Sequence, residues 1–73
     1  MKIRTQDARR FLELSECYIE DCMNGCGIYV KSRYSRNSVL AGKYEDEARA
    51  KGVMHEICIA ESRLERIFYM PSD

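Results

Sequence analysis

The chain has one proline, one histidine and no apolar run long enough to cross a bilayer. Each shortage excludes something. With no long apolar stretch after the Met1–Arg4 start, the sequence predicts neither a secretory signal nor a membrane anchor, and so a cytoplasmic protein. A lone histidine, His55, leaves little for nucleophilic catalysis, which needs a base within reach of the nucleophile and a third group to orient that base. His55 is followed by Glu56, Cys58 and Ile59 on the same stretch, and neighbours on one helix rarely align for acyl transfer. There is no glycine-rich phosphate loop, no His-Glu-x-x-His pattern and no nucleophile elbow. No internal repeat or low-complexity tract appears. The sequence therefore predicts a protein that binds without catalysing and that needs no cofactor.

What is present suits one small folded domain. The 73 residues are 45% hydrophobic and 33% charged, so the low mean hydropathy reflects abundant charge rather than disorder. At this size a single core yields little net stability without a disulfide, a metal or a partner chain. Four cysteines, Cys17, Cys22, Cys26 and Cys58, read as thiols in a reducing compartment. Cys22 and Cys58 fall on apolar stripes, while Cys17 falls on the polar side and is expected to be the reactive one.

Periodicity predicts two helices. In the last third, Ala50, Val53, Ile57, Ala60, Leu64 and Ile67 recur at steps of three and four, widened by Met54, Cys58 and Phe68. Glu45, Asp46 and Glu47 favour a helix start near Tyr44; Arg63, Arg66 and Pro71 favour an end near Tyr69. Glu45 with Arg49 and Glu47 with Lys51 have the spacing of helical ion pairs. Gly52, costly inside a helix, suggests either a kink or the close approach of a neighbouring helix. An earlier segment, residues 5–24, places Ala8, Phe11, Leu12, Ser15, Tyr18, Ile19, Cys22 and Met23 on one helical face, with Thr5 as N-cap and Asn24-Gly25 as terminator.

These elements predict an all-α or mainly α fold, a helical hairpin with a connecting segment at residues 25–43. Within that segment Ile28, Val30 and Ser32 alternate with Tyr29, Lys31 and Arg33, which fits either a short strand or an extended loop. Two lone helices cannot cover each other's apolar faces, so the hairpin is expected to pair with itself as a homodimer or larger bundle. Phe11, Tyr18, Val53, Met54, Ile57, Ala60, Leu64, Ile67 and Phe68 are the expected interface between copies.

Charge marks the expected binding surface. Between Cys22 and Tyr44 lie four bases and no acid, leaving eight bases against twelve acids elsewhere in a chain of zero net charge. Tyr29, Lys31, Arg33, Tyr34, Arg36 and Lys43 offer cations for phosphate or carboxylate oxygens and rings that stack. They predict binding of an anionic ligand or an acidic protein surface, as in a small inhibitor or ligand sequesterer of phage or mobile-element type. Nucleic acid is the second candidate, although the bases of the last helix are mixed with acids, unlike those of a duplex-reading helix. A structural zinc bound by Cys22, Cys26, His55 and Cys58 is the third, with the right atom types but without the short knuckle spacing of compact zinc modules.

Overall fold

A computed structural model describes residues 1–72, and in it β-sheet, not helix, is the predominant secondary structure. The strands are β1 (Lys2–Arg4), β2 (Phe11–Cys22), β3 (Gly25–Ser32), β4 (Ser38–Tyr44) and β5 (Ile67–Tyr69), with one helix, α1 (Glu47–Ser62), between the last two. Their order across the sheet is β4-β3-β2-β1-β5. All neighbours are antiparallel except β1 and β5, which run parallel. The all-α hairpin expected from periodicity is therefore incorrect, and so is the helical bundle built from it.

The error lies in β2. Leu12 faces the core opposite Ile3, and Cys17 and Ile19 face it opposite Val30 and Ile28, but the pairing shifts between Leu14 and Glu16. That bulge adds one residue to the strand, so core-facing side chains fall at 12, 14, 17 and 19 rather than on strict alternation. The broken alternation imitates a helical stripe. Thr5, read as a helix N-cap, instead builds the loop between β1 and β2 together with Asp7. The Thr5 hydroxyl donates to Asp7 Oδ1 at 2.6 Å and accepts from the Arg10 N–H, and Asp7 also accepts from the Arg9 N–H. Those donors, the Thr5 hydroxyl first, hold the Asp7 carboxyl below its usual range. Asn24 takes a left-handed conformation, φ 64°, as its residue type allows, but it turns a β-hairpin rather than ending a helix.

Helix α1 is the part of the second predicted helix that forms. Asp46 caps it by accepting from the Arg49 N–H at 2.8 Å. Ala50, Val53, Ile57 and Ala60 are buried, and the helix packs on β3, β4 and β2. Its stripe is covered by the chain's own sheet, where Ile3, Leu12, Ile28, Val30, Ala41 and Tyr44 complete the core. The helix stops well short of Tyr69. Leu64 adopts φ 59°, its N–H bonds the Glu61 carbonyl, and the Glu65 N–H bonds the Ala60 carbonyl. This is a Schellman closure with leucine at the position glycine usually holds, so composition gave no stop signal there. Lys51 reaches Glu47 at 3.4 Å as expected, and Arg49 lies 3.5 Å from Glu56. Gly52 lies within the uninterrupted helix and meets no neighbour; a Cβ there would stand in open space.

The sheet curls until its two sides meet at Gln6. This residue follows β1, yet its N–H donates to the Ala41 carbonyl of β4 at 2.7 Å. Its side chain then pairs with Lys43 as a strand residue would, accepting from the Lys43 N–H at 2.8 Å and donating to the Lys43 carbonyl at 3.1 Å. The same amide nitrogen reaches the carbonyls of Pro71 and Ser72, while the buried Tyr44 hydroxyl donates to Pro71 at 2.8 Å. One side chain thus ties together the β1–β2 loop, the outer edge of β4 and the segment after β5. At the other side of the sheet, β1 covers only the first part of β2. Beyond Leu14, β2 pairs with β3 alone and carries Glu16, Glu20 and Asp21 along that edge.

Two changes are expected to stabilise the domain: Gly52→Ala by about 1 kcal/mol from helix propensity, and Leu64→Gly by about 1 kcal/mol from relief of its left-handed backbone. Leu64 is 87% exposed, so little packing is lost with its side chain. Gln6→Ala is expected to cost about 1–3 kcal/mol by removing the shared hydrogen bonds. Urea denaturation of the three variants measures all of these shifts, and an unaltered midpoint for Gln6→Ala would remove the clasp from the account.

Candidate binding face

The sheet has one face under α1 and one turned to solvent, and strand alternation decides which side chains reach the open face. On β3 these are Gly27, Tyr29 and Lys31, the neighbours in register of Glu20, Tyr18 and Glu16 on β2. On β4 the matching residues are Lys43, Leu40 and Ser38. Leu40, Tyr29 and Tyr18 therefore form one row across three strands. The two tyrosine rings stack with centroids 5.7 Å apart and planes 15° from parallel, a cross-strand aromatic pair. Tyr18 is 36% and Leu40 43% exposed. Gly27 makes this row possible, because a Cβ there would stand 2.7 Å from Leu40 Cδ1 and 3.1 Å from Tyr29 Cε2. Leu40 and Tyr29 lie over the space that glycine leaves.

Charge is divided by strand. The β3–β4 hairpin contributes Lys31, Arg33, Arg36 and Lys43 and no acid, while the acids of the open face, Glu13, Glu16 and Glu20, all belong to β2. Lys31 and Lys43 lie at registers on either side of Tyr29, roughly 13 Å apart along the strand at about 3.3 Å per residue. Arg33, Tyr34 and Arg36 lie at the hairpin tip, which Ser32 and Ser35 fold: Ser32 Oγ accepts from the Tyr34 N–H, and Ser35 Oγ accepts from the Asn37 N–H and donates to the Asn37 carbonyl. Tyr34 is 83% exposed there. The six residues expected to bind together thus form two groups, a tip of Arg33, Tyr34 and Arg36 and a face of Tyr29, Lys31 and Lys43. Sequence reading missed Tyr18 and Leu40 as members of that face. Alternation within residues 28–33 could have found the β3 part, but only the pairing register adds the other two.

The residues expected at an interface between copies are dispersed. Val53, Ile57 and Ala60 are buried within the chain, and Met54, Ile67 and Phe68 are half-buried. Phe11, Tyr18 and Leu64 are exposed. Phe11 and Tyr18 belong to the sheet, whereas Leu64 follows the helix.

The four residues considered for zinc do not converge. Cys22 and Cys26 flank the β2–β3 turn on opposite faces of the sheet, while His55 and Cys58 are exposed on α1. Among the described residues no group of three His, Cys, Asp or Glu side chains is placed to hold a metal ion. Cys17 is also not the residue its sequence position suggested. Burial pushes its thiol pKa up, and the charges of Cys58, Glu61 and Glu16 push it further; Sγ lies 3.5 Å from Met54 Sδ. Burial likewise raises the thiol of Cys26, with Asp21 Oδ1 3.6 Å away adding to the effect. Cys58 is exposed.

A cavity of about 530 Å³ opens between the end of α1 and the start of β5, lined by Glu61, Leu64, Glu65 and Ile67 together with Lys2 and Glu13. It lies away from the tyrosine row. No helix among the described residues is long and apolar enough to cross a membrane. Comparison of the chain with known protein families, with characterised proteins and with solved structures finds no match.

Thiol access follows from this arrangement. Mass-spectrometric mapping after brief alkylation at neutral pH is expected to find Cys58 modified before Cys17 and Cys26. Labelling of Cys17 ahead of Cys58 would contradict the burial assigned to it.

Proposed function

We propose that the chain is a non-catalytic binding module that takes an anionic partner along the acid-free β3–β4 side of its sheet, with single-stranded nucleic acid as the partner class this face suits best. The observation that supports the reading is the stacked Tyr18–Tyr29 pair beside a hairpin whose every charged side chain is a cation. Unpaired bases stack on aromatic rings whatever their sequence, and lysines at intervals along the strand follow a phosphate backbone. Glu16 and Glu20, on either side of Tyr18 on β2, repel that backbone, so the phosphates follow Lys31 and Lys43 while the bases reach the ring pair. Duplex DNA fits less well, because among the described residues the helix, α1, mixes its bases with acids.

An acidic protein surface could meet the same cations, but it has less use for an exposed aromatic row. A cytoplasmic setting, where thiols stay reduced, belongs to the same proposal. Self-association is not required for this reading, since the argument for it came from two helices unable to cover each other and α1 is covered by the sheet.

Fluorescence anisotropy with labelled 12-nucleotide DNA and RNA at two salt concentrations tests the proposal. Affinity is expected to fall as salt rises, with a slope of about 0.7 per neutralised phosphate. Replacing Lys31 and Lys43 by alanine should flatten that slope at an unchanged melting temperature, and Tyr29→Ala should weaken binding by about 1–3 kcal/mol in a chain whose circular dichroism shows it still folded. Absence of binding at low salt, or binding indifferent to these changes, rejects the reading; selective capture of an acidic polypeptide such as polyglutamate redirects it to proteins.

A further inference from the structure

The contact between Cys17 and Met54 involves more than one helix turn. Cys17 comes from β2, on the core-facing side just beyond the bulge, where it is half-buried. Met54 comes from α1, with its sulfur 3.5 Å from that of Cys17. Cys58 stands four residues after Met54 in the same helix, so the two side chains share a flank with Cβ atoms about 5–6 Å apart. Cys58 is also the thiol whose charge Cys17 feels, and Glu61 and Glu16 act on Cys17 with the same sign. Two sulfur atoms therefore meet at one edge of the helix–sheet interface, with that of Cys58 one helical turn from Met54 on the same flank.

We propose that Cys17, Met54 and Cys58 form a three-sulfur site for a soft monovalent cation, copper(I). With metal–sulfur bonds of about 2.3 Å, the value for zinc thiolates, a trigonal ion holds its sulfurs about 4 Å apart. Cys17 and Met54 already have nearly that separation, and Cys58, exposed and one turn after Met54 on the helix, is the thiol placed to supply the third sulfur. Thioether and thiolate ligands select copper(I), whereas zinc prefers a fourth ligand from nitrogen, thiolate or carboxylate. On binding, each of the two thiols releases its proton to solvent as its sulfur bonds the ion, and the thioether bonds through a lone pair. Copper stays in the +1 state, so no electron is transferred. The site lies on the helix-facing side of β2, opposite the tyrosine row, and is independent of the anionic-partner reading.

The experiment is an anaerobic titration of the reduced full chain with copper(I), in competition with a chromophoric copper(I) chelator. One ion per chain is expected, with sulfur-only coordination in the X-ray absorption spectrum. Cys17→Ser and Cys58→Ser should each weaken binding by more than roughly 100-fold, since even outer-shell partners of a metal are commonly worth 10- to 100-fold. Met54→Leu, which keeps the apolar volume and so the fold, should weaken binding without changing the melting temperature of the metal-free chain. Cys22→Ser should leave affinity unchanged. Failure of the parent chain to compete for the ion, retention of full affinity in Cys17→Ser or Met54→Leu, or loss of it in Cys22→Ser would each overturn the assignment, leaving the sulfur contact as packing alone.

Discussion

The fold depends on one constraint: the long strand β2 must serve two sets of partners. Its first part pairs with β1, which brings Leu12 beside Ile3; its second part pairs with β3, which brings Cys17 and Ile19 beside Val30 and Ile28. The bulge between Leu14 and Glu16 keeps both parts pointing their apolar side chains at α1. Without the extra residue, the side chains beyond it would exchange faces, sending Cys17 and Ile19 to solvent and Tyr18 into the core. The separation of an apolar inner face from a tyrosine-bearing outer face begins at this irregularity.

Curvature follows from the same strand and is secured elsewhere. Increased twist at a bulge bends a sheet, and here the sheet turns far enough for Gln6, just after β1, to bond the outer edge of β4. A glutamine side chain carries the donor and acceptor of a peptide group, so it can complete a ladder where no strand is present. By engaging Lys43 through both backbone groups, Gln6 protects part of the β4 edge and orders the Lys43 backbone, from which one of the open-face cations projects. The fold and the proposed binding face are therefore joined at a single residue.

The sequence made some of this legible. The Ala50, Val53, Ile57 and Ala60 stripe belongs to a real helix, whose start is marked by Asp46 and the acids around it. Its stop was hidden because leucine occupies the left-handed position, and beyond it Ile67 and Phe68 continue the helical spacing while forming part of a three-residue strand. Residues 11–22 are rich in glutamate and poor in β-branched side chains, so propensity and broken alternation both favoured a helix where pairing with β1 and β3 imposes a strand. The charge asymmetry of residues 25–43 could be read directly, and those residues hold most of the hairpin. The partners of Tyr29 could not be read, because Tyr18 and Leu40 reach it only through register.

The free margin of β2 beyond Leu14 has a consequence for how the molecule behaves in a crowd. An unpaired strand border is a template on which further strands can add, copy upon copy, into fibrils. Here that border carries Glu16, Glu20 and Asp21, so two such margins approaching each other bring like charges together, and each molecule resists being extended by its twin. The same carboxylates thereby act as gatekeepers against amyloid growth.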